Sequence, residues 1–125
     1  MATGTATPTL GTTIPGGNIE AYPKSYEISG TVALSAATDT YATNGLAFDI
    51  SKLSVPGSAL PIYFNVRGIG GFVYVFVAGS TRANGKLVIQ QSAAAGNPFG
   101  EYSNGAALTA PYADTITFTA KFPKV

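Results

Sequence analysis

The chain has 125 residues, which fits one domain, and it contains neither Cys nor His. Disulfides and thiolate metal sites are therefore excluded, and the commonest general base and transition-metal ligand are missing. Charged residues make up only 10% of the chain and the formal net charge is +1, so no segment has the basic character of a nucleic-acid footprint.

The first 24 residues differ in composition from the rest, with six Thr, four Gly and three Pro. Such a segment buries too little apolar surface to offset the entropy lost on ordering. We therefore predict that residues 1–24 form an extended arm that docks on a neighbouring subunit or another partner, and a disordered tail without a role is the alternative. The predicted anchors of this arm are its larger apolar side chains, Leu10, Ile14, Ile19 and Tyr22.

Residues 25–125 read as one all-β domain, because Gly, Pro and Thr interrupt every window that could show a helical period. Short apolar stretches separated by turn residues predict an antiparallel β-sandwich or a small, jelly-roll-like barrel. The predicted strands cover 25–35, 46–51, 60–67, 72–78, 86–91 and 113–122.

Period-two alternation assigns the side chains of these strands to two faces. The predicted inward residues include Leu46, Phe48, Ile50, Ile62, Phe64, Val66, Ile116, Phe118 and Ala120.

The stretch "FVYVFVA" (72–78) is apolar on both faces, with aromatic residues at its even positions and valines at its odd positions. We therefore expect this strand to be covered on both sides, by a second sheet or by a partner subunit. Asn84-Gly85 after it predicts a tight turn, because both residues tolerate a positive φ.

The segment 92–112 is predicted to be a long loop, and long loops in compact domains are often functional. Its aromatic residues are candidate contacts with a partner, namely Phe99, Tyr102 and Tyr112. Packing of the two tyrosines back onto their own domain is an equal alternative.

No motif in the sequence predicts catalysis, a cofactor or a metal site, so we expect a protein that is not an enzyme. Gly68-Ile69-Gly70-Gly71 precedes a strand, whereas a dinucleotide fingerprint precedes a helix. Asp39 and Asn44 offer too few oxygens for calcium, and Asp39 is expected to cap a turn. The six carboxylates are scattered along the chain: Glu20, Glu27, Asp39, Asp49, Glu101 and Asp114.

Three stretches, "GLAFDIS", "LPIYFNVRGIGGFVYVFVAGSTRANGKLVIQQ" and "EYSNGAALTAPYADTITFTAKF", resemble small structural proteins of tailed bacteriophages. The family pattern begins with a hairpin of the type NGKL.V, for which this chain has Asn84-Gly85-Lys86-Leu87 with Val88 next. A loop of the type E…NG..L follows, here Glu101 to Leu108, and then a terminal strand. The resemblance covers about residues 45–122 and leaves out the arm.

This resemblance implies a capsid decoration (cement) protein, which binds the assembled phage head and stabilises it. The implied partners are the major capsid protein and further copies of the chain in a homotrimer, and the implied location is the capsid surface of the virion. The low charge agrees, because a surface with few charges favours association, although a monomer with a neutral polar surface is the alternative.

Two other functions stay open: a phage tail or head-fibre component, and a β-sandwich that binds a host surface or carbohydrate through Phe99, Tyr102 and Tyr112. We expect no membrane partner, since no apolar run reaches the roughly 20 residues that span a bilayer. The first residues lack a charged start and an apolar core, so we expect synthesis in the host cytoplasm without a secretory signal.

Overall fold

The structure is a computed structural model that describes residues 2–11, 19–21, 23–53, 55–92 and 99–124. Within these ranges the strands are β1 (Thr5–Leu10), β2 (Ile19–Ala21), β3 (Ser25–Leu34), β4 (Leu46–Phe48), β5 (Tyr63–Gly68), β6 (Val73–Val77), β7 (Gly85–Ser92), β8 (Phe99–Glu101) and β9 (Ile116–Pro123). Two 3₁₀ helices span Ile50–Leu53 and Arg82–Asn84, and one α-helical turn, α1, spans Thr109–Tyr112. No helix in these ranges has the length and apolar character needed to cross a membrane.

Seven of the strands that the structure describes close into a barrel in the order β1-β4-β7-β6-β5-β9-β3. The ring closes because β1 pairs on one side with β3 and on the other with β4. The prediction of an all-β small barrel is confirmed, and the wall is one continuous sheet instead of two stacked sheets. The sequence predicted an antiparallel sheet, but the β1–β4 pair is parallel.

Two short strands pair outside this ring. β2 lies beside the first half of β3, and β8 lies beside the last residues of β7. Both β1 and β2 run antiparallel to β3 and follow each other along it, at Gly30–Leu34 and Tyr26–Ile28 respectively. They therefore share one edge of β3, and β2 continues the line of β1.

The predicted boundary of the arm needs a correction, because β1 belongs to the domain. Ala6 is 3% exposed and packs in the core, and the amide of Thr5 donates to the hydroxyl of Ser35. The sequence assigned these residues to the arm because Thr, Ala and Pro carry little apolar surface. In the fold that surface comes from the neighbouring strand, where Val32 and Leu34 are buried.

The core contains most of the residues predicted to point inward. Leu46, Phe48 and Ile50 of the β4 region are at most 1% exposed, and the same holds for Phe118. The ring of Phe64 stacks on that of Phe118 with centroids 4.9 Å apart. One inward prediction is wrong, since Ile62 precedes β5 and is 60% exposed.

The predicted turn at Asn84-Gly85 is also wrong. The chain passes from β6 to β7 through the second 3₁₀ helix, whose N-cap Thr81 accepts a hydrogen bond from Ala83, and Gly85 has an ordinary φ of −70°. A Cβ on Gly85 would lie 2.9 Å from the ring of Phe76, so this glycine permits close packing. The Asn-Gly pair with two positive φ angles is Asn44-Gly45, at 75° and 115°.

Two neighbouring substitutions test whether β1 is part of the barrel. Ala6→Glu places a carboxylate in the core and should lower the free energy of unfolding by about 3 kcal/mol or more. Thr7→Glu, on the exposed side of the same strand, should change it by less than about 0.5 kcal/mol. Urea unfolding followed by circular dichroism measures both, and equal small effects would show that residues 5–10 behave as a loose arm.

Candidate partner-binding surface

The outer side of β6 carries an apolar stripe that is exposed among the residues that the structure describes. Val73, Val75 and Val77 are 42%, 39% and 45% exposed, and Val75 lies opposite the half-buried Val88 of β7. We call these four residues the valine face. The second sheet expected over β6 is therefore wrong, because a closed barrel has one wall and only its inner side meets the core. The other expected cover, a partner subunit, stays a prediction.

The apolar surface continues beyond both ends of β6. Ile69, in the turn that joins β5 to β6, is 84% exposed. Ile62 and Tyr63, at the start of β5, are 60% and 36% exposed. Because β5 and β6 are antiparallel, the start of β5 lies at the same end of the barrel as Val77. Apolar side chains therefore follow this hairpin along the length of the barrel.

Cationic side chains border the valine face. Arg67 lies opposite Val73 across β5 and β6, and Lys86 lies opposite Val77 across β6 and β7. A third cation, Lys121, lies opposite Tyr63. Glu27 of β3 is the one described carboxylate opposite these cations, facing Lys121, so the border is mainly positive. Such a border favours a partner with carboxylates around an apolar centre.

The predicted contact residues of the arm do not lie on this surface as far as the structure describes them. Leu10 is half-buried and packs against the core. Ile19 lies in β2, with only its backbone described, and Ile14 and Tyr22 lie outside the described residues.

The aromatic residues of the predicted long loop are in three different settings. Only the backbone of Phe99 is described, in β8. Tyr102 packs edge-on against Tyr41 at 5.7 Å between ring centroids, and its hydroxyl donates to the carbonyl of Ala107 at 2.8 Å. Tyr112, in α1, is 50% exposed. Tyr102 therefore packs onto its own domain, whereas Tyr112 is open to contact.

Sequence reasoning missed the valine face as an exposed surface, although the signal was present. The odd positions of 72–78 form a second apolar face, and alternation alone does not decide between a second sheet and a partner subunit as its cover.

A buried tyrosine and a carboxylate brace the turn at one end of the valine face. The hydroxyl of Tyr74 donates to Asp114 Oδ2 at 2.7 Å, and the backbone amide of Ile69 donates to Asp114 Oδ1 at 3.0 Å. The glycine-rich turn 68–71 therefore presents an amide to the protein's own carboxylate, which agrees with reading it as a turn and not as a phosphate loop.

A second pair of the same kind lies at the same end of the barrel. The hydroxyl of Tyr41 donates to Glu101 Oε2 at 2.7 Å, and the amide of Asn44 donates to the same oxygen at 2.6 Å. The pKa values of Tyr41 and Tyr74 are raised well above 10.0, mainly by burial and secondly by the hydrogen bond to the carboxylate. Both hydroxyls therefore remain protonated donors at neutral pH.

The remaining described carboxylates do not form a catalytic pair. Asp49 accepts from the amide of Ser51, Asp39 accepts from the hydroxyl of Ser35 at 2.6 Å, and Glu27 accepts from the hydroxyl of Tyr63 at 3.5 Å. The part of the chain that the structure describes contains no group of three or more His, Cys, Asp or Glu side chains that could hold a metal ion.

Comparison with known proteins gave no match to a family model, to a curated protein or to a solved structure. The proposals below therefore depend on the residues and their geometry.

The raised tyrosine pKa values predict a loss of stability in alkali. The two tyrosines contribute fully to the free energy of unfolding below pH 10, where they are also protonated in the unfolded chain. This contribution falls as the pH rises further. Above pH 10 each tyrosine should remove about 1.4 kcal/mol of unfolding free energy per pH unit. Tyr74→Phe should reduce this slope by one tyrosine's share.

The control for this measurement is Tyr112→Phe, which makes the same substitution at an exposed position. Urea unfolding between pH 9 and 11.5 gives the slopes. If Tyr74→Phe and the control have the same slope as the parent chain, the burial of the Tyr74 hydroxyl does not govern its ionisation.

Proposed function

We propose that the protein is a structural component of a phage virion, a capsid decoration protein that binds the assembled head through the valine face. The observation that carries this proposal is the stripe of exposed valines along β6, which Val88 of β7 widens, on the outside of a barrel with very few charges. Single exposed valines are normal, but a contiguous exposed apolar surface is typical of an interaction site.

The energetics of the valine face suit a partner that is present in many fixed copies. Burying the exposed part of each valine is worth about 1 kcal/mol, which alone gives weak binding. A stable interface buries about 800 Å² on each partner, so the contact would extend to Ile62, Ile69 and the cationic border. Binding to the assembled shell then stabilises it by mass action.

The resemblance to phage structural proteins supports the same proposal, since its stretches include β4, β5, β6 and all of β7 except Ser92. On this proposal three copies assemble around a symmetry axis of the head, which is a closed arrangement. Ile14 and Tyr22, outside the described residues, would add contacts to the shell or to the next copy.

Introducing a charged side chain at the centre of the valine face tests the proposal. Val75→Lys removes apolar area and buries an ammonium group, so it should weaken binding to empty heads by at least about tenfold. Thr31→Lys is the matched control, because Thr31 is an exposed outward residue of β3 on another part of the wall. Both variants are pelleted with empty heads assembled from the capsid protein of the same phage.

Circular dichroism confirms that both variants are folded before they are compared. Equal co-sedimentation of Val75→Lys and Thr31→Lys would contradict the role of the valine face. Rings or filaments of the pure protein in electron micrographs would instead favour a tail or fibre component.

The arm is tested separately and without disturbing β1. Ile14→Ser should weaken co-sedimentation with the heads by a few-fold, since it removes one apolar anchor. Thr12→Ser, a conservative change in the same segment, should have no effect. If the two variants bind alike, residue 14 does not contact the shell. A loss of trimer in sedimentation analysis with unchanged binding would place the contact between sister copies.

A further inference from the structure

At the end of the barrel opposite the tyrosine braces, Arg82 is buried with 7% of its surface exposed. Its guanidinium donates to three backbone carbonyls: Nε to Ala59 at 2.6 Å, Nη1 to Val55 at 2.8 Å and Nη2 to Pro56 at 3.3 Å. One face of the guanidinium lies over the ring of Phe122, 4.7 Å from the centroid. Arg82 thus ties the loop around 55–59 to the end of β9.

These contacts leave the charge of Arg82 without a described counter-charge. All three acceptors are neutral carbonyls, and two of the five N–H groups of a guanidinium have no acceptor among the described residues. Burial lowers the pKa of Arg82. Buried charges in proteins are almost always paired, so this arrangement favours an anion beside the guanidinium.

A cavity of about 470 Å³ lies against Arg82, within the size range of small-molecule sites. Its lining is rich in hydroxyl groups and also includes apolar atoms: Ser51, Val55, Gly57, Ser58, Ser80, Thr81, Arg82 and Ala83.

The hydroxyls of Ser80 and Thr81 accept hydrogen bonds from the protein, so their own protons can be donated to a ligand. The oxygen of Ser80 accepts from Asn84 Nδ2 at 2.8 Å, and the oxygen of Thr81 accepts from the amide of Ala83 at 3.3 Å. Each can still donate its O–H to a ligand. The hydroxyl of Ser51 is different, because it donates to Asp49. The cavity therefore combines one cation with several unused donors.

We propose that this cavity binds a small organic carboxylate, with the carboxylate on Arg82 and the hydroxyls of Ser80 and Thr81. An acceptor-only anion matches a lining of donors, and Val55 and Ala83 give the carbon chain an apolar contact. The same carboxylate chemistry could come from a free metabolite or from an acidic side chain of a partner. The cavity lies beyond the Val77 end of β6, so it is separate from the valine face.

The test is a titration of the full-length protein with sodium butyrate at constant ionic strength, with sodium chloride as the matched salt. Butyrate should give saturable shifts of the backbone amide signals of Val55 and Ala83 in NMR spectra, and it should raise the melting temperature. Chloride should do neither. Absence of saturation, or the same response to both salts, would overturn the proposal.

Two variants locate the binding. Ser80→Leu fills part of the cavity and removes one donor at an exposed position, so it should fold and bind butyrate at least tenfold more weakly. Ser103→Leu, an exposed serine at the other end of the barrel, is the control and should bind as the parent chain does. Equal affinities for the two variants would overturn the site.

A third variant and a second probe separate the sources of the carboxylate. Arg82→Lys keeps the charge but loses the planar guanidinium with its several N–H donors. The folded variant should bind butyrate at least tenfold more weakly. An N-acetylated Glu-containing tripeptide with an amidated C-terminus replaces butyrate in the second titration. Tighter binding of the peptide indicates an acidic side chain of a partner, and tighter binding of butyrate indicates a free acid.

Discussion

The pairing of β1 with both β3 and β4 is the constraint on which the rest of the structure depends. β3 and β4 have no direct pairing, so without β1 the second half of β3 and the outer edge of β4 would be unpaired and the sheet would stay open. Closure gives each strand of the ring an inside and an outside. Ala6 fits this role because a small residue can lie in the barrel beside the larger side chains of β3. The Thr-rich start of the chain therefore completes the core instead of leaving it.

Closure also decides what the apolar residues of β6 mean. In a sandwich, a strand that is apolar on both faces lies between two layers of the same chain. In this barrel the second face can only meet solvent or another molecule, which makes Val73, Val75 and Val77 a surface. The braces at Tyr74 and Tyr41 hold one end of the barrel with carboxylates, and Arg82 holds the other with carbonyls. Both ends are thus fixed by buried polar groups, and the wall between them carries the apolar contact.

The sequence predicted those parts of the fold where alternation and side-chain size agree. In β4 and β9 large apolar residues recur at every second position, so the inward residues and the all-β class could be predicted. β1 alternates too, but Ala6 and Pro8 are small, and its burial depends on strands that lie far away in sequence. The prediction of a turn at Asn84-Gly85 was wrong for a different reason. The Thr81 cap and the packing of Gly85 against Phe76 determine that connection, and a two-residue turn rule includes neither.

The candidate sites were harder to predict than the fold, because each depends on what is absent around a residue. Exposure of Val75 follows from barrel closure, and among the described residues the guanidinium of Arg82 meets three carbonyls that come from another loop. Neither environment has a local sequence signal. The two sites also differ in the interaction that they provide. The valine face provides apolar surface that a partner can bury, whereas Arg82 provides a charge with directional N–H groups and little exposed surface. An apolar surface on a chain with few charges would favour aggregation unless a partner covers it. The positive border of Arg67, Lys86 and Lys121 limits that risk, since two such faces repel each other and an acidic partner is preferred.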